Sequence, residues 1–451
     1  MNNAQTLPDD SIAGVITFDL LSDGTAIDPT FEVLSIQVNK TVNRIPFARI
    51  NVRDGEAETA TFAGSESDVF APGKELEIKI GHDSDNETLF KGKIVKQRIK
   101  VSGAGQSYLQ VECRDAAFAL ALGRKNRYFT DVTDADALSE IIGDYGLEND
   151  VPATAVTHRE LVQYHTSDWD YLLTRAEANG RLVLTDNGKI TVAKPEVAGS
   201  PVLQLSYGGN LLSLDAEMDA RYQWKSVTAQ AWNPAEQSLA EATAERVDFT
   251  ENGNLSGTKL SEVANLDTYA LRHAGLLAEE ELQSWSEAAL LKSRLAKIRG
   301  SVRFNTPKVV KPGDTLELQG MGARFNGLVY VTGLNYELTD GDCFVDAQFG
   351  LSPQWFYEEF VVDAPPAGGV NPAVSGLQIA TVKQLEGDPD GEDRILVVLP
   401  LLDVGGDGTW ARLASLDAGE NRGWVVRPEI GDEVIVGFLN DEQGQDDQDA
   451  V

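Results

Sequence analysis

At 451 residues the chain has room for several domains of ordinary size, and nothing in it forces one large core. Apolar residues are 42% and charged residues 24%, the composition of a folded protein, and 38 basic against 71 acidic residues give a net charge of −33. A field of that sign repels phosphate backbones and anionic membranes, so it argues against nucleic acid as a partner and for solubility, in a salty medium if need be.

The opening residues Met1 to Asp10 lack a basic start and an apolar stretch. No later run reaches the roughly 18 apolar residues of a membrane helix, so the expectation is a protein made in the cytoplasm that stays soluble. Residues Val15 to Phe18, Phe31 to Asn39, Phe47 to Val52, Leu76 to Ile80, Phe90 to Lys100 and Tyr108 to Cys113 read as strands, several of them alternating as in Leu76-Glu-Ile-Lys-Ile80. Residues 1–130 are therefore expected to form a β-barrel or sandwich domain.

Residues 131–200 read as a helix-plus-hairpin domain. Asp134 can cap a helix with the apolar face Leu138, Ile141, Ile142 and Tyr145, stopped by Gly146. A second helix starts at Ser167 and carries Trp169, Leu172, Leu173 and Ala176 to Gly180, with Asp168 and Asp170 in the turn where acids suit the dipole. Trp169 and Leu172 are expected to fill a core. The strands Arg181 to Thr185 and Lys189 to Val192 flank Asn187-Gly188, a pair suited to a tight hairpin turn.

Residues 201–352 read as a second β domain. Ser226 to Trp232 is a strand, Asn233 to Asn265 resists assignment, and Glu279 to Ile298 is an amphipathic helix closed by Gly300. The strands Ser301 to Asn305, Thr315 to Gln319, Leu328 to Glu337 and Cys343 to Phe349 follow. Here an earlier pattern returns: Pro72-Gly73 before a strand is echoed by Pro312-Gly313, and Phe90-Lys-Gly92 by Phe325-Asn-Gly327, each followed by a strand near a cysteine. Pro-Gly and strand glycines are also generic turn chemistry, but their recurrence in one order favours two copies of one domain.

Residues 353–373 form a linker that begins with the aromatic patch Trp355, Phe356, Tyr357 and Phe360, which packs on its own domain or on a neighbouring chain. Residues 374–440 hold five short strands: Ile379 to Val382, Arg394 to Leu399, Thr409 to Ser415, Gly423 to Arg427 and Glu433 to Phe438. That number in so short a span suggests a small OB-fold barrel. Residues 441–451 are an acidic tail with no means of burying surface.

Two stretches carry a family resemblance. Trp410-Ala-Arg412, Gly423-Trp424 and Pro428-Glu-Ile-Gly431-Asp432-Glu-Val434 resemble the OB-fold barrel of VgrG-like spike proteins of contractile injection systems and of the phage tail lysozyme's N-terminal domain. Ser167-Asp-Trp-Asp-Tyr-Leu-Leu173 with the Asn187-Gly188 hairpin resembles the middle of VgrG and phage late-control hub proteins. The resemblance implies a mainly β protein of two related β-barrel hub domains, an α+β insert and a C-terminal barrel. It further implies a structural homotrimer between tail tube, baseplate and spike tip or needle, which meets the target membrane only on firing. The family continues from this barrel into a triple-stranded β-helix needle; none is expected in this sequence, so either the chain is cut short or the needle comes from another polypeptide. Trp355, Phe356, Tyr357, Trp410, Trp424, Pro428, Gly431 and Asp432 join Trp169 and Leu172 as candidates for structure and assembly.

A search for chemistry finds no nucleophile elbow, Walker loop, dinucleotide fingerprint or zinc-protease helix. His158 and His165 with Glu160 could hold zinc only on a helix, which Pro152 and the β-branched flanks oppose, so they read as surface histidines. The loop Asp388-Pro-Asp-Gly-Glu-Asp393 fails the EF-hand spacing and reads as a turn. Cys113 and Cys343 are expected to be buried free thiols. No enzyme activity, metal or cofactor is expected; the rival readings are a hub-linked cell-wall hydrolase and a carbohydrate- or cation-binding module.

Overall fold

The computed structural model describes residues 16–102, 107–197, 200–339, 341–402, 405–419, 422–441 and 449–450, in two compact units, residues 1–362 and 363–451. Val15 of the first expected strand and most of the acidic tail lie outside the described residues.

The first unit opens with six main strands, β1 (Ile16–Ser22), β2 (Val33–Thr41), β3 (Phe47–Arg53), β4 (Glu75–His82), β5 (Asp85–Lys100) and β6 (Tyr108–Arg114), and a two-residue strand, Thr25–Ala26, that pairs with β1. They alternate buried and half-exposed residues, so one face builds a core of Ile36, Ile50, Ile78, Phe90 and Val111. The middle block follows with β7 (Lys125–Thr133), α1 (Asp134–Gly143), β8 (Thr157–Thr166), α2 (Asp168–Ala178), β9 (Leu182–Asp186) and β10 (Lys189–Ala193). β7 pairs with β8, a ribbon the sequence did not suggest. Asn187 and Gly188 take φ of 56° and 86°, the values a two-residue hairpin turn needs. Trp169 and Leu172 are buried among Leu138, Ile141, Ile142 and Val183.

The second half contains β11 (Leu203–Ser206), β12 (Leu211–Met218), then an excursion of β13 (Ser226–Asn233), β14 (Ser238–Ala244), β15 (Thr268–His273) and α3 (Glu279–Leu295). β16 (Ile298–Asn305), β17 (Thr315–Gln319), β18 (Gly327–Thr339) and β19 (Asp342–Phe349) complete it. The unassigned stretch after Asn233 is thus β14 plus the short helix Gly257–Ser261, and α3 covers the β13–β15 sheet through Leu282, Ala289 and Leu290.

The two halves repeat one strand order. The first runs β2-β3-β6-β5-β4-β1, the second β12-β16-β19-β18-β17-β11, and β18 pairs with β2 to join them into one sheet. Each member of one series takes the same place in chain order as its counterpart. The turns agree as well: Gly73 N–H donates to Ile94 and Ile94 N–H to Lys74, while Gly313 donates to Val331 and Val331 to Asp314. One strand breaks the match, since β1 meets β4 antiparallel and β11 meets β17 parallel.

Several expectations need correction. The turn bonds pair Ile94 with Val331, so the Phe90/Phe325 echo is slipped by two residues, a slip that leaves every side chain on its face. Cys113 ends β6 whereas Cys343 starts β19, so the cysteines are not counterparts, although both are buried free thiols. Thr133, not Asp134, caps α1 by accepting from the Asp136 N–H, and α1 ends at Gly143 rather than at Gly146. α3 ends at Leu295, and Ile298 and Gly300 lie in β16. A glycine after a helical run looks like a stop; here it lets two strands approach.

The second unit is a sheet of β20 (Leu377–Gln384), β21 (Ile395–Val398), β22 (Thr409–Ala411) and β23 (Glu433–Phe438), ordered β22-β21-β20-β23 and extended by Asp449–Ala450, which pairs with β23. Its core is Ala380, Val382, Ile395, Val397, Ala411 and Val436. The expected strand Thr409 to Ser415 stops at Ala411, and of Gly423 to Arg427 only Gly423 is paired.

Candidate assembly surfaces

Glu177 of α2 organises the aromatic segment that follows β19. Its carboxylate accepts from Lys292 Nζ of α3 at 2.5 Å and from the Phe356 N–H at 2.7 Å. Trp355 is buried in the α3 cluster with Lys292 Nζ 5.6 Å from its ring centre. Phe356 stacks on Phe360 at 5.1 Å, and Arg44 covers Phe360 at 4.3 Å. Tyr357 remains exposed, so the patch packs mainly on its own unit.

Three charge clusters are built into the first unit. Arg175 donates to Asp134 through Nε at 2.6 Å and Nη2 at 3.1 Å, and Asn179 and His158 complete the shell at 3.0 Å each. His158 is buried here, against the expectation of a surface residue; His165, seven positions along β8, is exposed. Asp168 accepts from Lys125 at 2.7 Å, Tyr145 at 2.6 Å and Gln163 at 2.8 Å. Asp186 holds Lys40 at 2.5 Å and Lys311 at 2.8 Å. Each of Asp134, Asp168 and Asp186 accepts from at least two side-chain donors.

Burial alone would raise Asp134 and Asp168, but the bonds from Arg175 and from Lys125 outweigh it and hold both below the ordinary 3.8. A carboxyl depressed in the fold stabilises it above the unfolded carboxylate range and loses that contribution as pH falls. Hydrogen-exchange protection of α1 and α2 is therefore expected to fall between pH 5 and pH 3, and the Asp134→Asn, Asp168→Asn pair to flatten that dependence; unchanged wild-type protection at pH 3 would refute it.

In the second unit Trp410 lies half-buried on β22 opposite Leu396, and Trp424 is 68% exposed. Pro428 leads into a turn in which the Glu429 N–H donates to the Asp432 carboxylate at 2.8 Å. That turn is tied to β20: Gly431 N–H donates to Val382 and Val382 N–H to Asp432. The acidic loop does not await a cation. Arg394 donates to Asp388 at 2.7 Å, and the N–H groups of Asp390, Glu392 and Arg394 fill the remaining lone pairs. Among the described residues no cluster of three His, Cys, Asp or Glu side chains is placed to hold a metal, and no helix is long and apolar enough to cross a membrane.

The exposed face of this sheet carries apolar residues beside Lys383 and Glu433. Ile379 and Ile435 stand opposite each other on β20 and β23, 56% and 59% exposed, and Val425, Val426 and Ile430 are exposed nearby in the chain.

Both units resemble known proteins. Residues 12–340 match the Alg8 N-terminal domain, and the chain belongs to that family. Residues 378–445 match the type VI secretion system/phage-baseplate injector OB domain. No curated protein sequence matches. The 43 kDa tail protein of prophage MuSo2 from Shewanella oneidensis superposes with a TM-score of 0.56 at 11% identity over 75% of this chain and 98% of its own. The tail protein from Neisseria meningitidis MC58 gives 0.55 at 13% over 76% and 98%. At these identities the fold is what is shared.

Proposed function

We infer that the chain is the structural hub-spike protein of a contractile injection system, phage tail-like or type VI secretion-like. In this reading it works as a homotrimer that adapts a sixfold tube and baseplate to a threefold membrane-piercing tip. The observation that carries the reading is one strand order present twice in one chain. Three chains then offer six near-equivalent hub units (3 × 2 = 6) but only three OB units, so sixfold order at one end meets threefold order at the other. The exposed apolar residues of β20 and β23 support it, since three copies can cover one another there. The role is mechanical, with sheath contraction driving tube and spike through the target membrane; it assigns no catalytic residue, metal or cofactor.

Light scattering on the purified full chain is expected to give about 146 kDa, three times 48.8 kDa. A mass of one chain across a wide concentration range would sink the reading.

A further inference from the structure

Both halves of the hub contain a long strand that changes partners at a bulge. β18 pairs with β17 through Tyr330, shifts register between Val331 and Gly333, and then runs between β19 and β2, with Gly333 to Leu338 opposite Thr41 to Ile36. Its counterpart β5 pairs with β4 through Lys93, shifts between Ile94 and Lys96, and from there on, among the described residues, has only β6 beside it. The counterpart of β2 is β12, which has β16 on one side and, among the described residues, no strand on the other. One junction of this kind is made within the chain, and both strands of a second carry an open edge.

The repeat also fixes the register that second junction would have. Ile94 answers to Val331 through the shared turn bonds, so Lys96 answers to Gly333 and Ile99 to Tyr336. Ile94 faces Cys113, Cys113 faces Ala48 and Ala48 faces Val38; Val331 faces Phe349, Phe349 faces Gly300 and Gly300 faces Ala216. Val38 therefore answers to Ala216. The observed Tyr336–Val38 pair becomes Ile99–Ala216, and its neighbours become Lys96–Asp219, Arg98–Glu217 and Lys100–Asp215.

The side chains brought opposite each other by that register are complementary. Three bases meet three acids on the outward face, with none of the like-charge oppositions that destabilise a ladder. Among the described residues Lys96, Arg98 and Lys100 have no carboxylate within ion-pair distance, although acids outnumber bases 71 to 38 in this chain. On the other face Gln97 and Ile99 come opposite Met218 and Ala216, and Ile99 is 46% exposed in the single chain. An open strand edge of this length is a template for another chain.

We propose that residues 96–100 of one chain pair antiparallel with residues 215–219 of a second copy, a head-to-tail ladder that closes after three chains. This rests on the trimeric reading above, and it names the surface that reading leaves open. The full-length double variant Ile99→Cys, Ala216→Cys tests it under mild oxidation, because opposed residues in antiparallel strands lie within disulfide reach. Covalent species of two and three chains are expected on a non-reducing gel, with none from the wild type or either single variant. As a second arm, Arg98→Glu should weaken the trimer on the order of tenfold, and adding Glu217→Arg should restore it. A trimer by light scattering that neither cross-links nor responds to Arg98→Glu overturns the ladder and leaves the hub reading standing. A protein monomeric at every concentration overturns both.

Discussion

Replacing Asp186 with asparagine is expected to destabilise the hub by about 3–5 kcal/mol, because it strands a buried ammonium. Lys40 is fully buried on β2, opposite Leu334 across the β18–β2 junction, and its Nζ sits 2.5 Å from the Asp186 carboxylate. Burial pulls the Lys40 pKa down from 10.5, and the neighbouring Asp186 charge resists that pull. The same carboxylate reaches Lys311 at 2.8 Å, so one side chain of the β9–β10 hairpin ties the two repeated halves together at their seam. For a body of this size the loss corresponds to a melting shift of about 4–7 °C. The double variant Lys40→Met, Asp186→Asn should regain most of it, since an apolar side chain needs no counter-charge. Lys311→Met should cost about 1 kcal/mol or less, as its side chain is half exposed and screened. An Asp186→Asn protein that melts like the wild type would show that the cluster does not hold the seam.

What was legible in the sequence was whatever leaves a local period. Leu76-Glu-Ile-Lys-Ile80 alternates because one face of β4 is core, and Ser167 announces α2 because its hydroxyl accepts from the Asp170 N–H at 3.1 Å. β7 was missed because Tyr128 faces solvent and most of its remaining residues are polar, so nothing alternates. Trp424 to Val426 misled in the opposite way: aromatic and β-branched residues raise strand propensity, yet here they are exposed and lie outside any strand. Asp134 at a helix start is explained as a cap until the fold brings Arg175 to it from 41 positions away. The candidate assembly residues divided along the same line. Trp169, Leu172 and Trp355 proved to be core, as aromatic and aliphatic residues in periodic settings usually are, while the basic edge of β5 carried no sequence signal at all. Lys-Gln-Arg-Ile-Lys reads as an ordinary solvated strand until the strand order shows that one of its edges is open.

Gly300→Ala is expected to damage fold and assembly together. Gly300 lies in β16 opposite Ala216 of β12, and a methyl group there would come 2.2 Å from the Asp215 carbonyl oxygen and 2.8 Å from the Ala216 Cα. Both are backbone atoms in a paired strand and cannot swing aside, so β12 must move bodily away from β16. Overpacking of this kind costs about 1–3 kcal/mol, and the backbone clash places it at the upper end. Its φ is not in the left-handed region, so the effect is one of space and not of strain. Asp215 to Asp219 form the edge that the neighbouring chain would have to meet, so the trimer is expected to dissociate at protein concentrations where the wild type holds. Gly143→Ala is the control. That glycine ends α1 with open space around its Cβ position, and the change should be neutral or stabilising by up to about 1 kcal/mol, with the mass unchanged. A Gly300→Ala protein that keeps both its melting temperature and its trimer mass would mean that β12 can shift without consequence, and with it the claim that this strand's position sets the interface would fail.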